Sequence, residues 1–276
     1  MSVESSFIPI ADVIFEHRLY LPLAGAFVAI TTGVLIAAKR LKIEKIVIPV
    51  LFLITLLLSG LTYARNTIWN DEISLWQDVV KKSPNKDRPH NNLGAAYRSQ
   101  GQFDRAIAEY QTALRLRPNN AEAHNNLGVE YASQGQFDRA IVEYQTALRL
   151  KPDYAEAHIN LGNTYRSQGQ FDRAIAQYQT ALRLKPDYAE AHNNLGTVYT
   201  SQGQLDRAIA EYQTALRLNP DVAEAHNNLG FSYASQGQLD RAIAEYQTAL
   251  RLNPDLAEAY NNLRLAYASQ GRRQNQ

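Results

Sequence analysis

The 276-residue chain contains no cysteine, which removes disulfides and thiolate metal sites from consideration. It also lacks a charge imbalance, since 28 Lys and Arg against 27 Asp and Glu leave a formal charge of +1. A nucleic-acid-binding domain needs a basic face, so nucleic acid is not an expected partner. Paired carboxylates, a nucleophile triad and a Gly-rich phosphate loop are missing from the apolar part of the chain, and neither an enzyme nor a cofactor is expected. Two stretches, 19–38 and 46–64, lack charged residues altogether. From residue 87 onward the composition turns to Asn, Gln, Arg, Glu and Ala.

Each uncharged run is about as long as a helix needs to cross a bilayer core. A cleavable signal peptide does not fit, because the charged start and short apolar core are absent and a second run follows. The expectation is a two-span transmembrane helical hairpin, with the bilayer as a partner. Its connecting loop, 39–45, reads KRLKIEK and crowds Lys39, Arg40, Lys42 and Lys45 together. Excess Lys and Arg marks the cytoplasmic side of short loops, so residues 1–18 and everything after 64 are expected outside the cytoplasm. Gly25, Ala29, Gly33 and Ala37 form a small-residue stripe on the first span, which would admit other membrane helices closely.

The rest of the chain repeats with a period of 34 residues: Leu93, Leu127, Leu161, Leu195, Leu229 and Leu263 align, as do Tyr97, Tyr131, Tyr165, Tyr199, Tyr233 and Tyr267. Five complete units follow, at 87–120, 121–154, 155–188, 189–222 and 223–256, with a sixth first helix expected from Ala257 to Gln270 and a tail to 276. Within unit two the matched positions are Leu127, Gly128, Tyr131, Ala140, Tyr144, Ala147 and Pro152, or positions 7, 8, 11, 20, 24, 27 and 32. This pattern resembles the tetratricopeptide repeat (TPR) and implies an all-α fold, a right-handed solenoid of helix-turn-helix units. Gly and Ala let antiparallel helices touch, Pro stops the second helix, and a Gly such as Gly101, Gly135 or Gly169 ends the first. In the sixth unit Arg264 replaces the position-8 glycine, which fits a polar capping helix with no second helix to receive.

Between span and repeats lies a junction, 65–86, in which Asn70 or Asp71 can cap a helix carrying Ile73, Leu75, Trp76, Val79 and Val80 on one face. Trp76 and Pro84 sit one period before Tyr110 and Pro118, so this helix takes the place of a second repeat helix. EHRLYLP at 16–22, the two runs with their basic loop, and RNxxWxDExxLWxDVVxKSP into repeats resemble one family. That family is the polytopic, TPR-containing membrane glycosyltransferases of the transmembrane O-mannosyltransferase type. The resemblance implies catalytic acids in earlier loops that match nothing in this chain. Glu16, His17 and Arg18 could meet a phosphate-bearing headgroup, but they read more simply as interfacial charges kept in water beside Tyr20.

Position 4 is His90, His124, His158, His192 and His226. Successive helices stand roughly 8–10 Å apart, too far for imidazoles to share an ion at about 2 Å, so these histidines are assigned to packing rather than metal. Position 6 is Asn in every unit: Asn92, Asn126, Asn160, Asn194, Asn228 and Asn262. Position 5 adds Asn91, Asn125, Asn193, Asn227 and Asn261, interrupted by Ile159. An amide offers a donor and an acceptor together and can hold peptide backbone whatever its side chains. This ladder is similar, at that position, to the repeats of nucleocytoplasmic O-linked N-acetylglucosamine transferases. Positions 9, 10 and 12 vary, with Arg98 and Arg166 at position 12, while the second helices stay nearly constant. Two functions follow: a membrane-anchored scaffold holding extended segments of protein partners, or the substrate-presenting part of a membrane glycosyltransferase.

Overall fold

The computed structural model describes residues 30–66 and 71–274, and every regular element among them is helical. The chain divides into two compact units, Met1–Asp71 and Glu72–Gln276.

In the first unit, helix α1 covers 30–40 and α2 covers Glu44–Asn66. The connection is tighter than the 39–45 loop expected from the charge pattern. Lys39 and Arg40 finish α1, Lys42 adopts a left-handed φ of 58°, and Glu44 already opens α2. Backbone bonds from Leu41 to Ala37 (2.9 Å) and from Ile43 to Ala38 (3.0 Å) close the turn. Among the described residues one helix is long and apolar enough to cross a membrane, over Glu44–Leu61, and none of that stretch is buried in the protein. Leu53, Phe52 and Ile46 are each about two-thirds exposed, an apolar surface that the protein itself leaves uncovered. Residues 19–29 of the first expected span, together with Glu16, His17, Arg18, Gly25 and Ala29, lie outside the described residues.

The second unit opens with α3 (Glu72–Lys82) and continues in antiparallel pairs. These are α4 (Asp87–Ser99) with α5 (Phe103–Leu116), α6 (Ala121–Ser133) with α7 (Phe137–Leu150), and α8 (Ala155–Ser167) with α9 (Phe171–Leu184). Then follow α10 (Ala189–Ser201) with α11 (Leu205–Leu218), α12 (Ala223–Ser235) with α13 (Leu239–Leu252), and the single α14 (Ala257–Gln274). Each first helix ends in the same way. Gly101 turns left-handed at φ 73°, its N–H reaches the Arg98 carbonyl at 2.9 Å, and the Gln102 N–H reaches the Tyr97 carbonyl at 2.9 Å. This double bond satisfies the orphan carbonyls of the last turn and needs a residue without a Cβ.

Within a pair the helices meet at the position-8 glycine. A Cβ on Gly162 would lie 2.7 Å from Cε1 of Tyr178, which is itself fully buried. Between pairs, the position-11 tyrosine bridges units. The Tyr131 hydroxyl accepts from Gln111 of the preceding unit at 3.2 Å, and the Arg139 guanidinium stacks 3.8 Å from the ring centroid. Gln77 makes the same bond to Tyr97 at 2.9 Å, and Trp76 is buried, so α3 occupies the second-helix place of a preceding unit.

Helix α14 departs from expectation in two respects. It runs past Gln270 to Gln274, and Gly271 lies inside it, out of the left-handed region. It also exposes Tyr260, Leu265 and Tyr267, so the cap is less polar than its charges suggested.

Candidate functional site

The first helices of successive units touch, α6 with α8, α8 with α10 and α10 with α12, whereas the second helices make no comparable contact. Closer approach on one side curves the array, and the first helices line its inner face. Positions 5, 6, 9 and 12 all lie on these helices.

The asparagines form bonded rungs. Asn126 donates through Nδ2 to Oδ1 of Asn91 at 3.2 Å, Asn160 to Asn125 at 3.0 Å, Asn228 to Asn193 at 3.5 Å and Asn262 to Asn227 at 3.0 Å. Each rung thus joins position 6 to position 5 of the preceding unit. Ile159 offers no acceptor, so Asn194 donates instead to Asn163, one helical turn on, at 3.1 Å. Asn91 passes its own N–H to Glu122 at 3.0 Å.

The two rows therefore differ in use. Asn91, Asn125 and Asn227 are buried as acceptors, while Asn92, Asn126, Asn160 and Asn228 remain half-exposed; the fourth unit reverses this, with Asn194 buried and Asn193 half-exposed. A position-6 amide that gives one N–H to its rung keeps a second N–H and its carbonyl oxygen. Around them, Ala95 and Phe231 are exposed at position 9, and Val129, Asn163 and Thr197 are half-buried.

Arg98 is exposed, with Nε 3.1 Å from Oε1 of Glu130, whose side chain is only 1% accessible. Burial pushes the Glu130 carboxyl up and Arg98 draws it back in part. Arg166 is half-buried beside Tyr178, whose hydroxyl donates to Asn163 at 2.7 Å and whose ionisation is pushed up by burial. Reading the sequence alone misses Glu130. The available signal is position 10, where Ala96, Thr164, Val198 and Ser232 are uncharged and Glu130 alone carries a charge.

Among the described residues no three His, Asp or Glu side chains gather as a metal set. Each of the five repeat histidines instead ties the second helix of its own unit to the end of the segment before it. His124 holds Glu143 through Nδ1 at 2.6 Å and the Pro118 carbonyl through Nε2 at 2.9 Å, and the other four repeat this with Gln177 replacing the acid at His158.

The sequence pattern of the TPR repeat matches residues 94–132, 128–165, 162–200, 196–237 and 232–271. The chain belongs to the tetratricopeptide-repeat family. Among solved TPR structures it is similar to MamA, with 32% identity and a TM-score of 0.54 over 60% of this chain and 97% of that one. It is also similar to a thermophilic TPR protein of Thermus thermophilus, with 27% identity and a TM-score of 0.54 over 66% and 99% of the two chains. The human protein O-mannosyl-transferase TMTC3 is 28% identical over 101 residues, which are 37% of this chain and 11% of that protein. This TPR array is a scaffold of the kind that serves protein interaction.

Proposed function

We propose that this protein is a membrane-anchored TPR scaffold that holds an extended segment of a partner protein against the inner face of its array, and that it is not itself an enzyme. The observation that carries this reading is the row of position-6 amides. The rungs fix the orientation of Asn126, Asn160, Asn228 and Asn262, and their unused N–H and carbonyl are the pair that an extended backbone needs. Asn92, Asn126, Asn160, Asn194, Asn228 and Asn262 are assigned to backbone contact. Asn125, Asn193 and Asn227 orient them, and Arg98 and Arg166 add side-chain selectivity.

Replacing Asn126, Asn160 and Asn194 together by Ala is the test. Each lost hydrogen bond is worth about 0.5–1.5 kcal/mol, so affinity for a panel of unrelated peptides should fall roughly 10- to 1,000-fold and similarly for each. Unchanged affinity with helicity intact would remove the groove assignment.

In this reading 19–38 and 46–64 span the bilayer, 39–45 is cytoplasmic, 1–18 and the 65–86 junction lie outside, and the repeats with their 257–276 cap stand beyond it. The absence of native cysteine makes the topology directly measurable. Cysteine introduced as Leu41→Cys should resist impermeant thiol reagents in intact cells, whereas Gln276→Cys should react; the opposite pattern would reverse the orientation.

The similarity to TMTC3, with the motif at 16–22 and 65–84, supports a second reading. In it the array presents protein substrates to a membrane glycosyltransferase whose catalytic part is not in this chain. An upstream reading frame with further spans and acidic loops would favour it over a free-standing scaffold.

A further inference from the structure

The position-24 tyrosines show what each gap between units is built to satisfy. Tyr212 places its hydroxyl 3.3 Å from Thr197 and 3.2 Å from Thr200, and Thr200 lies 3.3 Å from Ser232 of the next unit. Positions 9, 12 and 10 thus enclose the hydroxyl beneath the inner face. Tyr178 finds Asn163 in the same way.

The first gap has no such partners. Ala95 brings no polar atom, and Arg98 has only N–H donors. Tyr110 is fully buried and its hydroxyl has no hydrogen-bond partner; Oε1 of Glu130 is equally buried and equally without one. Arg98 stands 3.1 Å from that oxygen as a counter-charge without an aligned N–H, and its side chain is 45% exposed towards solvent. Glu130 is the one charged residue at position 10, so this gap differs from every other in the array.

We infer that the gap between α4, α5 and α6 anchors one lysine-type primary ammonium group carried by the extended segment. This assignment rests on the groove reading above. The two atoms left without a hydrogen bond are a carboxylate oxygen, ion-paired to Arg98, and a hydroxyl oxygen, both acceptors for an ammonium N–H. The charges acting on the Tyr110 hydroxyl are Glu130, Glu122 and Arg98, a local sum of one negative charge, which one cation completes. An anion would meet two carboxylates and find only Arg98 in its favour. A quaternary ammonium has no N–H to donate. Burial pushes the Glu130 carboxyl up and Arg98 offsets that only in part, so a second cation would stabilise the carboxylate.

The test uses the full chain in detergent and a randomised library of N-acetylated, C-amidated decapeptides, with bound peptides identified by mass spectrometry. The wild-type protein should enrich lysine over norleucine about tenfold at one peptide position, the size expected for a charge-assisted hydrogen bond. Glu130→Gln keeps the shape and should abolish that enrichment while total peptide recovery and helicity stay constant. Tyr110→Phe should reduce it. Arg98→Ala, a surface change, should raise it, because the local charge becomes more negative; a purely structural ion pair would not produce a gain. A flat lysine profile, a diffuse lysine preference at all positions, or enrichment that survives Glu130→Gln would overturn the anchor and leave the gap to a water molecule. Failure to recover peptides of any composition would overturn the groove reading and the anchor with it.

Discussion

Gly162→Ala is expected to destabilise the array by about 1–3 kcal/mol, the usual size of an overpacking penalty, even though alanine is the better helix former. The added methyl would sit 2.7 Å from Cε1, 2.9 Å from Cδ1 and 3.1 Å from Cζ of Tyr178. These are ring atoms of a fully buried side chain packed in the seam between the two helices, so the ring has little room to give way. The two helices must therefore move apart, which also loosens Ala174 and Ala181 across the same seam. Gly271 in α14 has nothing within 4 Å and is not left-handed, so Gly271→Ala should be neutral or raise stability by up to about 1 kcal/mol through helix propensity. Thermal and urea unfolding followed by circular dichroism at 222 nm read both. Equal effects at the two sites would contradict the packing role assigned to position 8. Because each unit leans chiefly on its neighbours, the transition should also broaden as the middle of the array loosens first.

Raising the pH from about 6 to 8 is the second change with a large expected effect, because it acts on two units at once, through His124 and His192. His124 and His192 each face a carboxylate at 2.6 Å through Nδ1 and a proline-residue carbonyl at 2.9–3.2 Å through Nε2. Both partners are acceptors, and a neutral imidazole has a single N–H to give. Only the imidazolium satisfies both. For His124, burial alone would lower the pKa, but the bonds to Glu143 and Pro118 outweigh it and the net direction is up; for His192 the bond to Glu211 leads and the direction is again up.

With folded-state values above the ordinary value of about 6.5, the folded chain binds more protons than the unfolded chain in this window. The stabilisation is fully present below about pH 6.5 and is lost as pH rises through the folded-state pKa. Unfolding midpoints measured across this range should therefore fall with pH. Glu143→Gln with Glu211→Gln should flatten the dependence, since an amide can donate to Nδ1 and leave a neutral ring satisfied at Nε2. The same place in the third unit already pairs a histidine with an amide, the Gln177 Oε1 lying 2.8 Å from Nδ1 of His158. A midpoint that rises with pH, or a slope unchanged in the double variant, would sink this account.

The sequence by itself determined the 34-residue period, the helix pairs, the glycine turns at Gly101, Gly135 and Gly169, and the tight seam at position 8. All of these depend on residues close together in the chain, and repetition makes each visible several times over. The uncharged run that became α2 was equally legible, because length and apolarity alone qualify a helix for a bilayer.

The partners of polar side chains across units were decided only by the tertiary structure. That Asn126 bonds Asn91, that Ile159 diverts Asn194 to Asn163, and that Oε1 of Glu130 and the Tyr110 hydroxyl are buried without a hydrogen bond depend on how far each helix is rotated against its neighbour. The same holds for the pairing of His124 with Glu143, 19 residues away. A period gives the order of the units and the face each residue shares. It does not give that rotation, and hydrogen bonds are sensitive to errors of a few tenths of an ångström in ways that apolar packing is not. The asparagine row was therefore readable as a row, but its division into buried acceptors and half-exposed amides on the inner face required the assembled array.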